Sequence, residues 1–171
     1  MTLATVASVT ERKDTSDAKA SLRTWLRLLA CTNLVERDVR GRLRDQFDTT
    51  LPRFDVLAQL DAAAREPRSE LTMSELSRRL MVTNGNLTSL VERLVQEGLV
   101  RRETAPSDRR TQFVRITPAG KRALDAMTPE HQRWIESLFA DLTSSERTQL
   151  YDLLGKLRTS VQKSLAAAEA K

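Results

Sequence analysis

Asn84, Asn86, Thr88, Ser89 and Arg93 crowd donor-bearing side chains into one short segment that opens at Thr83. Their chemistry suits the edges of bases: asparagine can pair with adenine, arginine with guanine or phosphate, and a threonine methyl can meet thymine. Taken alone, they suit a solvated helix face better. A second group changes that balance. Asp108, Arg109 and Arg110 lie in the run Ala105-Pro106-Ser107-Asp108-Arg109-Arg110, which reads as the tip of a β-hairpin. An arginine on a protruding ribbon can enter a narrow minor groove, where the negative potential is enhanced. Asp108, two residues from Arg110, is placed to hold that guanidinium in a fixed pose.

Presenting such groups takes two helices and a hairpin, and the sequence signals all three. Thr72 and Glu75 predict a capping box, and Leu76 and Leu80 follow at helical spacing. Thr83 opens a second helix whose apolar stripe is Leu87, Leu90, Val91 and Leu94. Gly98 ends it, because glycine readily takes the left-handed conformation of a helix terminus. Strands are expected from Leu99 to Thr104 and from Thr111 to Thr117, the second carrying Phe113, Val114 and Ile116. Thr117-Pro118 then starts a further helix, with proline at its first position.

The flanking segments read as helical too. A helix is expected from about Ala18 to Phe47, with Leu22, Trp25, Leu26 and Leu29 on one side and the stripe fading through Asn33 and Glu36. Pro52 starts another, with Phe54, Val56, Leu57 and Leu60 facing inward and Pro67 closing its loop. Ala123 to Asp141 continues helically through Met127, Trp134, Ile135 and Leu138, although Pro129 removes one backbone hydrogen bond. Thr143 with Glu146 predicts a capping box for a last helix carrying Leu150, Leu153, Leu154, Leu157 and Val161.

The expected fold is mostly α with a small β-hairpin wing, a winged helix–turn–helix in a single domain. Its expected parts are a flexible tail, or the lead into the first helix, over residues 1–20, a dimerisation helix over 21–50, a DNA-binding domain over 51–120 and dimerisation helices over 121–171. The two long terminal helices exceed what one small core can bury, so self-association through them is expected, with twofold symmetry and an inverted-repeat operator.

Charge placement agrees. The chain has 28 Lys+Arg and 23 Asp+Glu, a net charge of +5, and residues 65–122 hold 12 basic and 7 acidic residues. The whole surplus falls where a polyanion would be gripped. Hydrophobic residues make up 40% of the chain and aromatics 4%, a helical composition. The first twenty residues suit neither a signal peptide nor a membrane segment, and no apolar run has the length of a bilayer span, so a cytoplasmic protein is expected.

Groups for covalent or metal chemistry are sparse. One histidine, His131, and one cysteine, Cys31, stand far apart in sequence, and neither a zinc spacing nor a nucleophile–base set can be built from them. No catalytic residue, metal or cofactor is expected. His131 reads as a surface or partly buried helix residue, and Cys31 as an inert packed thiol.

The order of these pieces resembles the MarR family of winged helix–turn–helix regulators. The carrying stretches are LTMSELSRRL, then VTNGNLTSLVERLVQEGLVRR, then SDRRTQFVRITPAG. The similarity of layout runs from about Leu22 to about Ser164. It implies a recognition helix over Thr83–Gly98, a wing in which Asp108 orients and Arg110 is inserted, and a homodimer made by the first and last helices on double-stranded DNA. It also implies repression relieved by a small aromatic ligand. The segment LRTWLRLLACTNLVERDVRGRLRDQFDTTLPRFDVLAQL is similar to a subgroup controlling aromatic-acid catabolism, including regulators that respond to hydroxycinnamoyl-CoA thioesters.

An effector cleft on that pattern would be lined by Trp25, Leu29, Asn33, Arg37, Phe54 and Leu57. Arg37, Arg40 and Arg44 share a helical face and suit the phosphates of an aryl-CoA. The competing readings are plain core for Trp25, Leu29, Phe54 and Leu57, and a solvated face paired with Glu36, Asp38 and Asp45 for the arginines. Some members of the family sense peroxide through a first-helix cysteine assisted by nearby tyrosines; here Tyr151 is the sole tyrosine. Alternatives to a ligand-responsive repressor are an effector-independent or architectural DNA-binding protein and an adaptor or enzyme that kept the fold.

Overall fold

Between Leu3 and Arg40 the sequence has neither glycine nor proline, and the backbone of the computed structural model is helical from Leu3 to Phe47 (α1). The structure describes the backbone of residues 3–66, 70–105 and 108–169, with side chains except those of residues 3–16, 84, 105, 108–110 and 169. Of the two readings of the first twenty residues, a flexible tail or the lead into the first helix, residues 3–20 follow the second and form the first turns of α1, since nothing in their composition breaks a helix. Asp48, with φ 48°, ends α1 in the left-handed conformation that a short polar side chain tolerates.

Helix α2 spans Leu51–Ala64 with Pro52 in its first turn, as expected, and buries Phe54, Val56, Leu57, Leu60 and Ala63. Pro67, expected to close its loop, lies outside the described residues. A short strand β1 (Leu71–Thr72) leads into α3 (Met73–Leu80). The expected capping box is present: the Glu75 amide donates to the Thr72 hydroxyl at 3.2 Å, and the Thr72 amide donates to the Glu75 carboxylate at 2.8 Å. Met81, left-handed at φ 54°, turns the chain into α4 (Asn84–Gln96), and Gly98, at φ 71°, turns it out again.

Strands β2 (Val100–Ala105) and β3 (Asp108–Ile116) form an antiparallel hairpin, and β1 adds to β3, giving the order β1-β3-β2. The pairings Leu71–Val114 and Thr72–Phe113 create a third strand too short for any periodicity to announce. Asp108 to Arg110 also belong to β3 rather than to a long tip, because Ala105 pairs with Asp108 across a register shift after Thr104. The connecting residues Pro106 and Ser107 lie outside the described residues.

Helices α5 (Pro118–Leu138) and α6 (Ser144–Glu169) complete the chain. By contacts the chain divides into two compact units, residues 1–127 and 128–171, not the single domain its length suggested. The division falls beside Pro129, which cannot donate the usual helical hydrogen bond. In the first unit the core gathers Val39 and Leu43 of α1, the inner faces of α2, α3 and α4, Leu71, Val100 and Val114 of the sheet, and Leu124 and Met127 of α5. In the second, Trp134 is buried and meets His131 edge-on at 6.3 Å, while the capping box of Thr143 and Glu146 opens α6 as expected. Among the described residues no helix is long and apolar enough to cross a membrane.

Candidate nucleic-acid interface

The apolar stripe of α4 fixes which side faces out. Leu87, Val91 and Leu94 are wholly buried and Leu90 is half-buried, so the opposite side is left to polar groups. Asn86, Ser89 and Arg93, spaced three and four apart, share that exposed side. Thr88 is half-buried beside them, and exposed Thr83 caps α4 without a side-chain hydrogen bond. Of the other expected contact residues, the side chains of Asn84, Asp108, Arg109 and Arg110 lie outside the described residues; their backbone opens α4 and β3.

The base of the hairpin is locked to the end of α4. The Thr117 hydroxyl donates to the Gly98 carbonyl at 2.7 Å and accepts from the Gly120 amide at 3.0 Å. A side chain at Gly120 would bring a Cβ within 2.1 Å of the Leu99 carbonyl oxygen, so only glycine allows α5 to start there. The helix end and the ribbon base are thus joined by hydrogen bonds and close backbone contact.

The local charge surplus is more selective than a count suggests. Arg79 forms a two-pronged pair with Glu66 at 2.8 and 2.7 Å, and Arg115 binds both Glu70 and Glu103. Arg101 pairs with Glu103, Arg102 faces Glu92 at 3.9 Å, and Lys121 lies between Asp61 and Asp125. Arg53 of α2 reaches Glu97 at the end of α4 with both guanidinium arms, which holds the Glu97 carboxyl below the usual range. Arg78, Arg93 and Arg122 are exposed and make no ion pair among the described residues. Arg78 and Arg122, together with Met81 at 89% exposure in the turn before α4, went unnoticed in the sequence because nothing there separates free arginines from paired ones.

The expected effector residues do not behave as one set. Phe54 and Leu57 are core, as the plainer reading had it, but Trp25 and Leu29 are exposed on α1. Asn33, Arg37, Arg40 and Arg44 are exposed farther along α1, with Arg40 held by Glu36 and Arg42 by Asp38. Burial pushes the Asp55 carboxyl up to about 6; nearby Glu36 adds to the rise and Arg40 opposes it. Cys31 is exposed rather than packed. His131 is half-buried as expected, and burial lowers its pKa from the ordinary imidazole value. Among the described residues no group of acidic, histidine or cysteine side chains could hold a metal ion.

Comparison with known proteins bears on this arrangement. The family model for the MarR family matches residues 47–111. An HTH-type transcriptional regulator of Bacillus cereus is 31% identical over 140 residues, covering 81% of this chain and 89% of its own. The HTH-type transcriptional regulator PecS of Dickeya dadantii is 31% identical over 124 residues, 72% of this chain and 73% of its own. Among solved structures, a MarR family transcriptional regulator from Streptomyces coelicolor in complex with DNA superposes with a TM-score of 0.74 at 28% identity, over 85% of this chain and 89% of that one. A MarR variant from E. coli complexed with operator DNA gives 0.70 at 29% identity, over 80% and 95%. These relatives are regulators rather than enzymes, and a mostly helical chain with a three-stranded wing fits them throughout: it belongs to the MarR family of DNA-binding transcriptional regulators.

Proposed function

We propose that the chain acts in the cytoplasm as a homodimeric repressor on an inverted-repeat operator, released by a small aromatic acid or its CoA thioester. The observation that carries the dimer is the exposure of Leu22, Trp25, Leu26 and Leu29 on α1 and of Leu153, Leu154, Leu157 and Val161 on α6. An exposed apolar stripe of this kind on a helix marks an interaction face. In the dimer α4 enters the major groove, Asn86, Ser89 and Arg93 face base edges, and Asn84, Thr88 and the uncapped start of the helix at Thr83 serve the same groove and its phosphates. The wing carries Asp108, Arg109 and Arg110 to the minor groove. Arg110→Ala weakens binding and lowers the preference for narrow-groove flanks, whereas Asn86→Ala or Arg93→Ala costs about 1–3 kcal/mol of discrimination at central bases. Equal losses on specific and random duplex would contradict base reading by that side chain.

For release, the support is the continuity of one α1 face, from Trp25 and Leu29 through Asn33 to Arg37, Arg40 and Arg44, an aryl-sized apolar patch leading into guanidinium groups. Titration with coumaroyl-CoA and with salicylate, following operator release, separates the two ligand classes; indifference to the thioester ends the acyl-CoA reading. A second reading, a regulator without an effector, gains from Phe54 and Leu57 being spent on the core. A ligand-induced thermal shift with weakened operator binding would exclude it.

A further inference from the structure

The apolar stripe holds α4 against the core by a non-directional force, and the Thr117 bonds tie its end to the hairpin, but neither fixes its orientation on α2. Base reading tolerates little slide or rotation, since a productive constellation must be held within about 0.5 Å. A directional restraint is present at the far end of α4. Arg53, in the first turn of α2, donates from Nη1 to Glu97 Oε1 at 2.7 Å and from Nη2 to Glu97 Oε2, across 44 residues of sequence. Parallel bonds between two planar groups fix orientation as well as distance. The guanidinium is the better shielded partner, with Arg53 at 22% side-chain exposure against 43% for Glu97. Each partner also shifts the other in the sense of a mutual contact, Arg53 upward and Glu97 downward. Helix α2 follows α1 after only Asp48, Thr49 and Thr50, so this pair ties the element that continues α1 to the end of α4.

We propose that Arg53 and Glu97 are positioning residues that set the register of α4 on the operator without touching DNA. This rests on α4 being the base-reading helix. The alternative for Arg53 is a phosphate contact of its own, in which case Glu97 would weaken binding rather than support it.

The test uses the full chain and two probes: a duplex recovered by the wild-type protein from a random-sequence pool, and an unselected random duplex. Glu97→Gln keeps side-chain size, Arg53→Gln leaves a shorter polar side chain, and each, like the double variant, removes the ionic pair. Each single variant is expected to bind the selected duplex about tenfold more weakly and the random duplex within about twofold of wild type. The double variant is expected to be no worse than the weaker single, because both changes break one link. General destabilisation would lower both affinities together, and an independent phosphate contact by Arg53 would make the losses multiply; either result overturns the proposal, as do singles within about twofold of wild type on the selected duplex. Asn86→Ala and Arg93→Ala run alongside. If they erode the preference for the selected duplex while the Arg53 and Glu97 variants do not, this proposal alone falls. If they too leave the preference intact, the reading of α4 falls with it.

Discussion

The winged centre and the terminal helices use leucine to opposite ends. In the centre Leu76, Leu87 and Leu94 have no exposed surface, while Leu22 on α1 and Leu153 on α6 are 54% and 61% exposed. The centre also closes its own electrostatics: Arg53, Arg79 and Arg115 each meet a carboxylate from a distant part of the sequence. The ion pairs at the middle of α1, Arg40 with Glu36 and Arg42 with Asp38, stay within one helix. A region whose apolar and charged groups find internal partners is built to fold by itself, whereas one that leaves apolar groups outward fits the proposed completion by a second chain. Fully burying one leucine is worth about 1.5–3 kcal/mol, so the stripes on α1 and α6 hold enough surface to drive association.

That contrast is broken most severely by charging the terminal stripes. Leu26→Glu combined with Leu157→Glu should leave a monomer by analytical ultracentrifugation, with operator affinity down at least about a hundredfold because the second half-site is lost. The wild-type sedimentation coefficient in the double variant would show that these faces are not the interface. Next in size, the same substitution should act differently in the two regions. Leu94→Ala lowers unfolding free energy by about 2–5 kcal/mol in denaturant titration, through the cavity it leaves. Leu154→Ala acts through association, so its effect grows on dilution.

A smaller effect sharpens the comparison at the junction of α1 and α2. Because folded Asp55 holds its proton up to about 6, against an ordinary value of 3.8, its stabilising contribution is full below pH 3.8 and lost as pH rises through 6. Asp55→Asn should therefore stabilise the chain at pH 8, on the order of 1 kcal/mol after screening by the solvent that still reaches the carboxylate, and change little at pH 4. Thermal melts at both pH values check the sign. Smallest are the caps: Thr72→Ala, which breaks a complete capping box, should cost about 1 kcal/mol. Thr83→Ala, which removes no cap bond, should cost only a few tenths by the same measurement.

Much of the fold was legible in the sequence because its signals are local. The Thr72–Glu75 and Thr143–Glu146 boxes, the turn at Gly98 and the apolar spacing of α2 and α4 need only residues within two turns of one another. What escaped depends on distance or on context. Strand β1 exists because Leu71 and Thr72 meet β3, and two residues carry no period. The hairpin closes at Ala105 and Asp108 through cross-strand pairing that turn-rich composition hid. The polar run ERKDTSDAK leaves a tail and a helix lead equally open, and lacking breakers residues 3–20 belong to α1. Trp25 and Leu29 were weighed as core or cleft because helical spacing marks an apolar face without saying what covers it. The Arg53–Glu97 pair had no sequence signature, since any of the chain's arginines could have met any of its carboxylates.

The most direct test of a paired reader is footprinting of the selected duplex together with the mass of the complex. Two chains per duplex, protecting inverted half-sites about 34 Å apart on one face of the helix, are the result expected. A single chain protecting one undivided site would contradict it.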